Sequence, residues 1–130
     1  MTRAMNRRYL LLALLPLLLW TAACHRQAPT TQAWQLELKT QPPVPTSDQD
    51  TTFSLRVLDA DGKPVTGASA DLSLVMTFMD MGKNVVHLED KGNGNYVGVG
   101  QFTMAGDWDC HVTVQLGQKQ QQQVFHYKVG

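Results

Sequence analysis

Two hydrophobic patterns divide the chain. Residues 10–19 read LLLALLPLLL, an apolar run of ten interrupted by Pro16. After residue 24 no apolar period of 3.6 residues is sustained; apolar and polar residues alternate in short runs separated by turn chemistry. Alternation with period two puts every second side chain on one face, the pattern of a half-buried strand. The first such run is Trp34–Thr40, with Trp34, Leu36 and Leu38 on one face. The segment QPPVPTSDQD follows, whose prolines cannot donate to a ladder and exclude a central strand. Thr51–Leu58 places Phe53, Leu55 and Val57 inward. Asp59-Ala-Asp-Gly-Lys-Pro is then a turn, because Gly62 accepts positive φ and Pro64 stops pairing.

Ala70–Phe78 puts Leu72, Leu74, Met76 and Phe78 on one face and Asp71, Ser73, Val75 and Thr77 on the other. Asn84–Glu89 is a short strand, and Gly92-Asn-Gly-Asn a hairpin turn. Tyr96–Met104, a corner at Ala105-Gly106-Asp107, and Trp108–Leu116 follow; Trp108, Cys110, Val112, Val114 and Leu116 share a face. Gly117 turns the chain into Lys119–Val129, where Gln120–Gln123 read as a solvated edge hairpin held in register by Phe125, Tyr127 and Val129. Seven strands in roughly 95 residues predict an all-β chain, an immunoglobulin-like antiparallel β-sandwich, with a closed barrel as the alternative.

The leading apolar run has a different purpose. Ten apolar residues make ~15 Å of helix, about half of what a bilayer requires. Arg3, Arg7 and Arg8 precede the run, and Trp20-Thr-Ala-Ala-Cys24 follows it. A basic start, a short apolar stretch and small residues form a secretory signal. Ala22-Ala23-Cys24 resembles the lipobox of bacterial lipoproteins, with Thr21 where leucine is usual. That resemblance implies a signal peptide over 1–23, lipidation of Cys24, and a membrane attachment facing the periplasm. His25, being other than aspartate, implies the outer rather than the inner membrane. A plain signal peptide with an incidental cysteine is the alternative. Residues 24–33 read as a lipidated tether, and 34–130 as the folded domain.

Charge and cysteine content narrow the picture. The formal net charge is +0; leaving out residues 1–23, with three of the eleven basic residues, gives eight basic against eleven acidic, a net of −3. No basic stripe remains for nucleic acid. The chain has two cysteines. With Cys24 lipidated, Cys110 has no disulfide partner, and the domain must fold on its core alone.

Gly94-Asn-Tyr96-Val-Gly98-Val-Gly100-Gln-Phe102-Thr-Met104-Ala-Gly106-Asp-Trp108, with the upstream Met76-Thr-Phe-Met79-Asp-Met81-Gly82, resembles the YtkA-like domain, a family grouped with FixH-type proteins. The resemblance covers about residues 50–117 and implies an immunoglobulin-like envelope domain. FixH-type relatives are membrane proteins linked to copper delivery or oxidase assembly. This chain departs from them in having a lipobox-like segment where they carry a transmembrane helix.

Little in the sequence suggests catalysis. G-x-S-x-G, H-E-x-x-H and C-x-x-C are absent, and Gly92-Asn-Gly94 and Gly98-Val-Gly100 are not followed by a helix. Cys110 and His111 are strand neighbours and point to opposite faces. The carboxylate pairs Asp59/Asp61, Glu89/Asp90 and Asp107/Asp109 lie at or beside turns, where water and capping claim them. The chain is therefore read as no enzyme but a binding or accessory module of the envelope, partnered by the membrane through Cys24 and by another envelope protein. Methionine supports an alternative: Met79 and Met81 share a side of the chain, and with His87, Met104 and His111 offer thioethers and imidazoles suited to Cu(I). That reading is a copper chaperone or a tolerance or oxidase-assembly factor. No Cys/His cluster has the spacing of a zinc site. Packing is the competing role, with Met76 and Met104 filling core gaps and Met79 and Met81 forming an apolar patch.

Overall fold

The computed structural model describes residues 33–130. The expected signal peptide, Cys24 and the tether up to residue 32 lie outside the described residues. Seven strands follow in order: β1 (Gln35–Gln41), β2 (Asp50–Leu58), β3 (Ser69–Met76), β4 (Val85–Asp90), β5 (Asn95–Gln101), β6 (Gly106–Leu116) and β7 (Lys119–Val129). Among the described residues there is no helix. Every pairing is antiparallel, and the strand order is β1-β2-β5-β4-β3-β6-β7.

The sheet folds over on itself through β4. Val85–Leu88 pair with β3, and Glu89 and Asp90 pair with β5, so one strand serves two layers. Gly98 and Gly100 of β5 make this possible. A Cβ on Gly98 would lie 2.5 Å from the His87 carbonyl oxygen, and one on Gly100 would lie 2.4 Å from Val86 Cγ2. The glycines admit close backbone approach where β4 crosses β5.

No ladder joins the end strands β1 and β7, so the sandwich does not close as a barrel. Side chains fasten the seam instead. The Gln121 amide accepts from the Trp34 N–H and donates to the Trp34 carbonyl, both at 2.6 Å, as a peptide group would. Tyr127 OH donates to the Leu38 carbonyl at 3.1 Å, and Lys119 sits 4.5 Å from the centre of the Trp34 ring.

The alternating residues meet in one core. Phe53, Leu55, Val57, Leu72, Leu74, Tyr96, Phe102, Trp108, Cys110, Val112 and Val114 are almost wholly buried. Phe53, Phe102 and Trp108 form an edge-to-face series, with centroids 5.7 and 5.4 Å apart.

Three expectations need correction. β3 ends at Met76, and Phe78 lies on the loop that follows, where strand alternation no longer sets the side chain's direction; it is 79% exposed rather than inward. β5 ends at Gln101, leaving Met104 on an exposed loop instead of in the core. Leu116 has the parity of the core but reaches the turn before β7 and is exposed.

Candidate functional site

The strands run between two poles. One carries the start of β1, residues 59–68, residues 91–94 and the turn at 117–118. The other carries residues 42–49, 77–84 and 102–105 and the C-terminus. The chain enters β1 at the first pole, and the second, called the far pole, lies at the opposite end of the strands.

At this far pole the apolar surface is not covered. Val44 is 71% exposed, and Phe78, Met79, Met81 and Met104 join it. The loops that carry them are fastened to each other and to the core. Asn84 Nδ2 donates to the Gln101 carbonyl at 3.1 Å, and the Leu74 N–H donates to the Asn84 carbonyl at 2.8 Å. Trp108 Nε1 donates to the Met104 carbonyl at 3.0 Å. Gly82 donates its N–H to Asp80 Oδ1 at 2.8 Å, closing the turn between Met79 and Lys83. A hollow of about 450 Å³ lies between the two loops, with Met81, Asn84, Gln101 and Trp108 in its wall.

The proposed metal ligands fall into two groups. Met79, Met81 and Met104 lie on the loops of the far pole. His87 and His111 lie on the outer face of the layer formed by β4, β3, β6 and β7, with β3 between their strands. His111 is three residues, ~10 Å, along β6 from Trp108. His87 Nδ1 faces Asp71 Oδ1, which is shielded from solvent. Among the described residues, no group of three His, Cys, Asp or Glu side chains is arranged to hold a metal ion.

Several other titratable groups are buried or hold structural partners. Cys110 is buried, and its thiol is pushed up to about 12, by burial first and by Asp109 second. Tyr127 is likewise pushed up to about 12 by burial, with Cys110 adding to it. Asp59 Oδ1 accepts from the Asp61 and Lys63 N–H groups, both at 2.9 Å. The hydrogen bond and charge of Lys91 hold Glu89 below the usual carboxylate range. The N–H groups of Gly67 and Gly92 do the same for Asp90.

Sequence reasoning missed Val44 and the second His–Asp pair, His126 with Asp109, whose Nδ1 and Oδ1 are 2.5 Å apart. Strand parity already places Asp71, Asp109, His111 and His126 outward, but which strands are neighbours is not a property of parity.

This is an immunoglobulin-like β-sandwich domain with an exposed apolar pole. The chain belongs to the YtkA-like family, whose model matches residues 30–113. The match takes in β1, ahead of the segment that carried the resemblance, and ends inside β6; β7 lies beyond it. Among curated proteins, none matches the chain.

Proposed function

We propose that this protein is a non-catalytic binding or accessory module of the bacterial envelope. In this reading Cys24 is lipidated and holds the chain to a membrane, the outer rather than the inner, and the domain faces the periplasm. The exposed apolar pole is the surface that meets another envelope protein. One observation carries the reading: large apolar side chains are displayed on fastened loops at the end of the strands opposite the start of β1. An apolar surface held in place is the form that a protein contact takes. The test is a photoreactive residue at Phe78, compared with one at Gln118 of the opposite pole, in living cells. A discrete adduct from Phe78 alone is expected. Equal adducts from both positions, or none, would sink the assignment of this pole. Mass spectrometry of the native chain should show an acylated Cys24; an unmodified Cys24 would remove the anchor.

A second reading rests on the thioethers. Met79, Met81 and Met104 lie on two loops joined through Asn84–Gln101 and Thr77–Asp107. Cu(I) tolerates few donors and favours sulfur, so these three residues suit a chaperone or tolerance factor. The check is competition against a Cu(I) chelator, with a Met79→Leu/Met81→Leu variant for comparison. Leucine preserves volume, so equal competition by both proteins would leave the methionines as contact surface.

A further inference from the structure

Beyond the far pole, the outer face of the β4-β3-β6-β7 layer carries a separate set of donors. The register pairs Asp109 with His126 and His111 with Val124. His111 and His126 are therefore diagonal neighbours on one face of an antiparallel pair, ~7–8 Å apart, a spacing that two imidazoles can bridge. Asp109 Oδ1 faces His126 Nδ1 at 2.5 Å. A carboxylate there holds the proton on Nδ1 and leaves the Nε2 lone pair outward, the arrangement that supports a metal-binding histidine. His126 is exposed, whereas the Asp109 side chain is only 26% exposed, so the support is firmer than the ligand it orients. His111 is exposed and has no hydrogen-bond partner among the described residues, which leaves its ring nitrogens available.

The surroundings favour a cation. The same face carries Asp71, Asp107 and Asp109 against Lys128. Val75 and Val124 flank His111 in a shallow hollow of about 450 Å³, whose wall also includes Ser73 and Thr113. Sequence spacing gives no zinc signature because the two donors stand on different strands, fifteen residues apart. His126 also lies outside the span matched by the family model.

We propose that His111 and His126 bind one divalent transition-metal ion through their imidazoles, with water completing its coordination and Asp109 acting as a positioning residue. Imidazole suits Zn(II), Ni(II) and Cu(II), whereas thioethers suit Cu(I), so this site is chemically distinct from the methionine pole. His87 with Asp71 supplies an internal contrast. It repeats the oriented histidine, but its diagonal neighbours on β3 are serines, Ser69 and Ser73, so a second imidazole is missing.

The test is titration of the full chain with Zn(II), by calorimetry and by nitrogen NMR of the imidazoles. Saturable binding of one ion is expected, with signals of His111 and His126 moving and those of His87 staying. His111→Ala and His126→Ala should each weaken binding at least tenfold, and Asp109→Asn by ~10–100-fold. Asp109→Asn should also change the tautomer of the metal-free His126, a readout that general loosening would not produce. Near-UV circular dichroism of Trp108 verifies that each variant is folded. Absence of saturable heat, binding retained by either folded histidine variant, or movement confined to His87 would each overturn the proposal.

Discussion

The two poles of the sandwich finish their loops in opposite ways. At the pole where the chain enters, polar groups span between loops. Tyr96 OH donates to the Val65 carbonyl at 2.8 Å and accepts from the Ala68 N–H at 3.2 Å. Asp90 accepts from the Gly67 and Gly92 N–H groups at 2.7 and 2.8 Å. Trp34 and Val65 there are buried, while Leu116 is 40% exposed. At the far pole the loops are also fastened, yet Val44, Phe78 and three methionines remain in water. Leaving this apolar area exposed forgoes about 25 cal/mol per Å² of burial. One pole spends most of its apolar surface on folding, and the other leaves such surface in water.

Glycine substitutions should break the comparison most sharply. Gly94 has φ +75, and a Cβ there would lie 2.5 Å from the Val57 carbonyl oxygen. Gly82 has φ +78 with open space around it. Gly94→Ala should cost ~3 kcal/mol or more, from positive φ plus a backbone collision, and Gly82→Ala ~1–2 kcal/mol from φ alone. Urea denaturation of both variants measures the difference; equal losses would mean that the poles are equally rigid.

Tyr96→Phe removes one hydroxyl that serves two backbone groups. A loss of ~1–3 kcal/mol is expected from the same denaturation measurement, because the Val65 carbonyl and Ala68 N–H lose their shared partner.

Asp90 provides a smaller, pH-dependent effect. Its folded pKa is lowered from 3.8 by the Gly67 and Gly92 hydrogen bonds. A depressed folded value stabilises the fold above the unfolded pKa, and that contribution fades as pH falls through the folded one. The advantage of wild type over Asp90→Asn should be present at neutral pH and shrink below 3.8. Denaturation curves at neutral pH and at about pH 3 test the sign. A gap that widens on acidification would contradict it.

The smallest change in stability belongs to the far pole. Phe78→Ser should alter stability by no more than ~0.5 kcal/mol, as expected for an exposed side chain. The same change should remove the contact proposed above with another envelope protein, read by crosslinking from Met81. Loss of stability with contact retained would reverse the roles assigned to the two poles.

Much of the fold was legible because a strand writes its burial into every second residue. Leu36 and Leu38, Phe53 to Val57, Leu72 and Leu74, and Trp108 to Val114 are inward by parity and buried in fact. The hairpin at Gly92-Asn-Gly was equally readable, since Gly92, Asn93 and Gly94 all take positive φ. Phe78 was misread because parity has no meaning once the strand stops, and β3 stops two residues earlier, at Met76.

The sequence by itself determined the strand count, the inward faces within the strand interiors, the burial of Cys110 and the family. These depend on local periodicity and short motifs, which neighbours in sequence can encode. Tertiary structure alone decided that β4 serves two layers, that Gln121 and Tyr127 fasten the open seam, and that His126 stands diagonal to His111. Each of these is a juxtaposition of strands distant in sequence. Their register is set by the packing of both inner faces together, and no single stretch of residues contains it.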